Sequence, residues 1–139
     1  MVKANKLLKE FKLDAYAKKY PKELSGGMRQ RIALIRTHLF SKDVSLLDEP
    51  FSALDAITKD EMHDWYMNMR RKYKTSTIFI THDVDEAILL SDRIYILGEG
   101  DIKTEIKIEA SVRDNSFKLT KEFLEYKKSV IGCLESGNT

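Results

Sequence analysis

The 139-residue chain has a single cysteine, Cys133, so it can form no internal disulfide. With no histidines or further cysteines clustered near it, Cys133 offers no metal-ligand pattern and is expected to be an ordinary residue of the last helix. No apolar run approaches the roughly 18 residues of a membrane-spanning helix. The opening MVKANKLLKEFK has no apolar signal-peptide stretch, so a cytosolic chain is expected. The six glycines stand at 26, 27, 98, 100, 132 and 137, and none begins Gly-Lys-Ser or Gly-Lys-Thr. The GxxxxGK[ST] loop, whose N–H cradle and lysine hold a nucleotide's phosphates, is therefore absent.

What is present suits one globular domain: 42% hydrophobic residues and a net charge of +2. The charge is uneven. Residues 1–22 carry seven lysines against Glu10 and Asp14, residues 23–100 carry ten basic and thirteen acidic groups, and the remainder balances at seven each. An acidic middle argues against a nucleic-acid partner, which wants a basic face there. The early lysines read as the solvated side of a short helix with Leu7, Leu8 and Phe11 inward.

Periodicity predicts alternating helices and strands. The first helix is expected to end near Leu13, and Asp14 to cap a short second one (AYAKKY) closed by Pro21. Ser25 caps a helix to about Phe40, with Met28, Ile32, Ile35 and Leu39 on one side. VSLL and STIFIT read as buried strands joined through a helix over 57–73, on which Met62, Tyr66, Met69 and Tyr73 share a face. Arg70, Arg71 and Lys72 at the end of that helix suit its dipole without needing a partner. DVDEAILL is a short helix and RIYIL a third strand. IKTEIKI is expected to be a half-exposed antiparallel edge with Ile102, Ile106 and Ile108 on one face, a last helix spans about Thr120 to Leu134, and SGNT is a frayed end.

Continuous apolar runs such as VSLL and STIFIT are expected of strands covered on both faces, and the intervening helix predicts a parallel pair with a right-handed crossover. Their C-terminal ends then share one sheet edge, where open α/β sheets bind ligands. Asp48 and Glu49 follow one strand, His82 and Asp83 the other. Asp48 suits a hard cation such as magnesium, Glu49 can orient or deprotonate a water, and His82 can touch a transferred phosphate. LSGGMRQR, from Leu24 to Arg31, places paired glycines behind a serine at a helix start, where N–H groups and the helix dipole favour an anion.

LSGGM (24–28), LLDEP (46–50), SALD (52–55) and THD (81–83), in this order and spacing, resemble the ATP-binding subunits of ABC transporters. The resemblance covers essentially the whole chain. It implies an α/β, partial P-loop NTPase fold of parallel core strands with flanking helices. Residues 1–24 would end the helical subdomain, 25–110 hold the signature helix and core strands, and 111–139 form a helical tail. In that family the signature of one subunit closes over ATP held by another, which answers how a chain without a phosphate loop can present a phosphate-seeking turn. The resemblance makes Ser25, Gly26, Gly27 and Gln30 nucleotide contacts made in trans. It makes Asp48 the magnesium-associated acid (through water), Glu49 the catalytic base, His82 the switch histidine, and Asp55 the end of the D-loop.

In the family, the phosphate loop, the adenine-stacking aromatic and the Q-loop precede the signature. Only 23 residues precede Leu24. The chain therefore reads as the C-terminal half of such a domain, expected to bind Mg-ATP weakly or not at all by itself and to self-associate through an uncovered sheet edge. KYPKELSGGMRQRIALIRTHLF, with the DEPFSALD and THDVDEA wording, is similar to importers of nitrate, sulfonate, taurine and related solutes. The implied partners are a transmembrane permease, a second ATP-binding subunit and, indirectly, a solute-binding protein, with the chain held at the inner face of the cell membrane. A cobalamin, thiamine-precursor or riboflavin-type cargo stays open. The other readings are a non-catalytic module that lends its signature to a partner, and a soluble ABC ATPase of translation or DNA repair, which the importer-like wording disfavours.

Several residues have plainer readings. His38 and His63 lie inside helices without converging ligands and are expected at or near the surface. Trp65, Met62 and Met69 are expected in the core, and Tyr16 and Tyr20 to pack rather than to stack on adenine.

Overall fold

The computed structural model describes residues 2–41 and 43–136, in two compact units divided between Ile80 and Thr81. The first holds α1 (Val2–Glu10), α2 (Gly26–Phe40), β1 (Val44–Asp48), α3 (Ala56–Tyr73) and β2 (Ser76–Ile80). The lysine-rich α1 buries Leu7 with Leu13 and Ile35, and Leu8, Phe11, Met28, Ile32, Leu39, Trp65 and Tyr73 pack around them. α1 stops at Glu10, short of the expected Leu13. Lys12 takes a left-handed φ of 56°, its N–H donating to the Lys9 carbonyl (3.1 Å) and that of Leu13 to the Leu8 carbonyl (2.7 Å). This paired closure usually falls to glycine; the buried Leu13 drives it here, with a lysine in the strained position.

The expected AYAKKY helix is not formed. Asp14–Tyr16 is one 3-10 turn with Leu13, not Asp14, at its cap position, and Pro21–Glu23 is a second. Tyr16 and Tyr20 are exposed rather than packed, because no helix turns them inward. Tyr20 instead contributes backbone: its N–H donates to Glu23 Oε2 (2.7 Å).

β1 and β2 pair in parallel, Leu46 opposite Ile78 and Asp48 opposite Ile80, through the α3 crossover. Their burial corrects the expectation of cover on both faces. Ser45 and Leu47 are buried, whereas Val44, Leu46, Ile78 and Ile80 are exposed. The reason is topological: the α3 side is filled by Phe51, with ring centroids 5.9 Å from Phe79 and 6.1 Å from Tyr66, and no described element of this unit covers the exposed side chains of the opposite side. Phe51 and Met62 have no exposed surface, and Tyr66 and Met69 are buried beside them, as the helical spacing predicted. His63 is buried rather than near the surface, packed edge-on against Phe51 (5.1 Å).

The second unit contains α4 (Val84–Leu90), β3 (Arg93–Gly98), β4 (Asp101–Lys107) and α5 (Lys121–Ser136). β3 joins β4 as a separate antiparallel pair rather than the parallel sheet. The register slips between Ile96 and Leu97, so the buried stripe of Ile94, Ile96 and Ile108 does not extend to Ile102, which is exposed. α5 packs on α4 and on the 3-10 turn Asn115–Leu119, where Phe117 meets Phe123 edge-on at 5.4 Å. Arg113 ties Asp92 and the Ser91 carbonyl. Cys133 is a half-buried residue of α5, as expected. Of the SGNT end, 137–139 lie outside the described residues.

Candidate nucleotide-binding elements

Three stretches of the chain carry the residues singled out by sequence. At the first, Ser25 caps α2. Its backbone is extended (φ −64°, ψ 163°) and its Oγ accepts the Met28 N–H at 3.2 Å. No acidic side chain occupies the first turn, so the partial positive charge of this 15-residue helix is left for an outside anion. Arg29 Nη1 donates to the Leu24 carbonyl at 2.7 Å, which fixes the approach to the cap. Gln30 is half-buried one turn into the helix.

Both glycines of this turn lie against the segment that begins α3. A Cβ on Gly26 would come within 3.5 Å of Leu54 Cδ2, and one on Gly27 within 3.1 Å of Thr58 Cγ2. The SGG turn and the SALD turn are thus packed together. Asp55 caps α3: its Oδ1 accepts the Thr58 N–H (3.0 Å) and its Oδ2 the Thr58 hydroxyl (2.6 Å). The side-chain bond from Thr58, and then the backbone bond, hold the Asp55 carboxyl below its ordinary pKa. The sequence signal here is Asp55 itself, a preferred helix-capping residue; the part played by Thr58 shows only in the structure.

At the second place β1 ends in Asp48, exposed, followed by Glu49 with a left-handed φ of 46°. Glu49 N–H still donates to the Ile80 carbonyl (2.8 Å), while its own carbonyl accepts the Ser52 hydroxyl (3.0 Å) and N–H (3.3 Å). A non-glycine residue held in this region costs of order 1–3 kcal/mol and persists only where surroundings impose it, often at functional sites. The turn lifts Glu49 out of the strand's alternation, so it does not simply take the face opposite Asp48. Among the described residues no three potential metal-ligating side chains cluster. The exposed Asp48 carboxylate nevertheless suits magnesium, which takes one or two carboxylates and completes its shell with water and phosphate oxygens.

The third place belongs to the second unit. His82 is exposed and immediately precedes Asp83, the cap of α4, whose Oδ1 accepts the N–H groups of Asp85 (2.9 Å) and Glu86 (3.2 Å). Thr81 Oγ1 donates to the buried Glu86 carboxylate (2.8 Å) and accepts the Asp83 N–H (3.0 Å). These bonds tie down the backbone on both sides of His82.

The ABC transporter family profile matches residues 1–52. The chain is 44% identical over 126 residues to the aliphatic sulfonates import ATP-binding protein SsuB of Bacillus cereus, covering 91% of this chain and 50% of that protein. The chain belongs to the family of ABC transporter ATP-binding subunits. It is 45% identical over 101 residues to a Bacillus cereus sulfate/thiosulfate import ATP-binding protein, CysA, covering 73% of this chain and 28% of that one. Among solved structures, an ABC transporter in an inward-facing conformation matches with a TM-score of 0.68 at 24% identity, over 92% of this chain and 48% of its own. The fold is the α/β fold of ABC ATPase domains. This ABC chain spans about half the length of the sulfonate import relative it matches and 28% of the sulfate/thiosulfate one.

Proposed function

We propose that this chain is part of the ATP-hydrolysing subunit of an ABC importer for sulfonates or related small anionic solutes, and that it meets the nucleotide of a second subunit in trans. The observation that carries this is the start of α2: a serine-capped, carboxylate-free helix terminus with Gly26 and Gly27 leaving the backbone bare. The solute class is supported by the likeness to sulfonate and sulfate import subunits. No helix among the described residues is long and apolar enough to cross a membrane, so a transmembrane permease is the proposed anchor, at the inner face of the cell membrane, with a solute-binding protein acting through it.

In this reading Ser25 Oγ and the N–H groups of Gly26 and Gly27 bind the terminal phosphate, with Gln30 beside them and Asp55 ordering the adjoining turn. Asp48 would hold magnesium through water; the metal, when bound, supplies neutralisation of phosphate charge. Glu49 accepts the proton of an attacking water, and His82 contacts the phosphate being transferred.

The test is sedimentation of this chain with an ATP-binding subunit that carries its own phosphate loop, with and without Mg-ATP. Association that requires Mg-ATP and is lost in Ser25→Arg is expected. Association indifferent to nucleotide, or untouched by Ser25→Arg, would refute contact in trans. Calorimetric titration of Mg-ATP into the chain alone is expected to give no saturable heat, and saturable binding would reveal a nucleotide site of the chain's own.

A further inference from the structure

Thr58 makes two contacts from one rotor. Its methyl lies against Gly27, 3.1 Å from where a Cβ would be, while its hydroxyl donates to Asp55 Oδ2 at 2.6 Å. Threonine is stiff about χ1, and its wells are about 120° apart. Any rotation that frees the hydroxyl therefore also swings the methyl out of its seat beside Gly27. The converse holds too: pushing the methyl away from Gly27 drags the hydroxyl off Asp55. A second contact, Leu54 Cδ2 at 3.5 Å from the Cβ position of Gly26, gives the two turns a shared apolar backing. The absence of a Cβ at 27 is what permits this approach, since an alanine there would sit closer than most real Cβ contacts, whereas a Cβ at 26 would make ordinary contact with Leu54.

We infer that Thr58 is a positioning residue that couples the Ser25–Gly27 turn to the Asp55 turn, so that a displacement of either is passed to the other within one chain. In functional terms this rests on the proposed contact with nucleotide in trans: the turn that meets the phosphate and the turn that precedes α3 move as one. The coupling itself is a property of the chain and is measurable without nucleotide.

Two amides report it, Met28 N–H on Ser25 Oγ and the residue-58 N–H on Asp55 Oδ1. Thr58→Val keeps the branched shape and removes the donor; Thr58→Ser keeps the donor and removes the methyl. Hydrogen exchange by NMR is expected to quicken at Met28 in Thr58→Val, and at residue 58 in Gly27→Ala, each by roughly threefold to tenfold. In Gly27→Ala/Thr58→Ser the residue-58 rate should return to that of Thr58→Ser alone, because the methyl that met the new Cβ is gone. A purely local helix cap would not show this rescue. Strictly additive rates in the double variant, or an unchanged Met28 rate in Thr58→Val, would overturn the coupling. If Gly27→Ala does not fold, the Met28 rate in Thr58→Val decides alone. In the Mg-ATP-dependent association experiment, Thr58→Val should weaken binding severalfold. Wild-type chain that never associates removes the proposed function and leaves the exchange result standing, whereas association that Thr58→Val leaves unchanged removes the positioning role.

Discussion

Glu49 keeps its backbone bond to Ile80 after leaving the strand: its N–H donates to the Ile80 carbonyl at 2.8 Å while its φ stands at 46°. The ladder pins one side of the residue and the Ser52 bonds pin the other, so the left-handed turn is imposed from both ends. Glu49→Gly should relieve strain of about 1 kcal/mol and give back a similar amount in unfolded-state entropy. Its urea midpoint should stay near wild type. Glu49→Val, branched at Cβ, should lose about 1–3 kcal/mol; equal midpoints for the two variants would mean that the turn is not strained.

The side chain of Glu49 is the proposed base. In an ATP-hydrolysing assembly that includes this chain, Glu49→Gln should cut kcat by about 10²–10⁴-fold with nucleotide binding kept. Steady-state turnover beside equilibrium nucleotide binding separates the two, and unaltered turnover would take Glu49 out of that role.

Phe51 is fully buried and touches His63, Tyr66 and Phe79. It sits between the acidic strand end and the SALD turn, so it packs the ground on which both stand. Phe51→Ala should cost about 3–5 kcal/mol of stability, read by chemical denaturation. A loss under 1 kcal/mol would show that neighbours collapse into the space.

Tyr73 donates its hydroxyl to Glu10 Oε2 at 2.7 Å, and Lys72 pairs with the same carboxylate. Burial, and then the Glu10 bond, push the Tyr73 phenol from 10.0 up to about 12. A pKa raised on folding adds stability that is whole below about pH 10 and is lost as pH rises toward 12. The bonds from Lys72 and then Tyr73 lower Glu10, whose contribution is present above the ordinary carboxylate pKa and is lost as pH falls through the folded value. Stability profiles of Tyr73→Phe against wild type should therefore differ in slope above pH 10, with a smaller difference in acid. Parallel profiles across both legs would show that the bond does not form in solution.

The exposed face of β1 and β2 carries Val44, Leu46, Ile78 and Ile80. Apolar sheet surface of this kind promotes self-association. Sedimentation at tens of micromolar should show oligomers of the chain alone, and Leu46→Lys with Ile78→Glu should shift it toward monomer. A monomeric wild-type chain would count against association through this face.

Residue order alone determined the start of α2, because capping is local, although Asp14, read in the same way, caps no helix. Ser25, Asp55 and Asp83 each accept backbone N–H groups two or three positions ahead, and the apolar spacing of α3 follows from the helix's own period. The motif series made the family legible for the same reason: each motif is a short run of adjacent positions. The chain's net burial was not legible. VSLL and STIFIT read as doubly covered strands, yet what covers a strand depends on which elements reach it, and only the α3 side is filled. Nor could AYAKKY be read correctly, since the left-handed Lys12 and buried Leu13 set the path before it begins. The packing of Gly27 on Thr58, 31 positions apart, and the hold of Ile80 on Glu49, 31 positions back, were likewise decided only by tertiary structure. Such contacts arise where the chain returns on itself, and a pattern of neighbours along the sequence carries no trace of the distance they close.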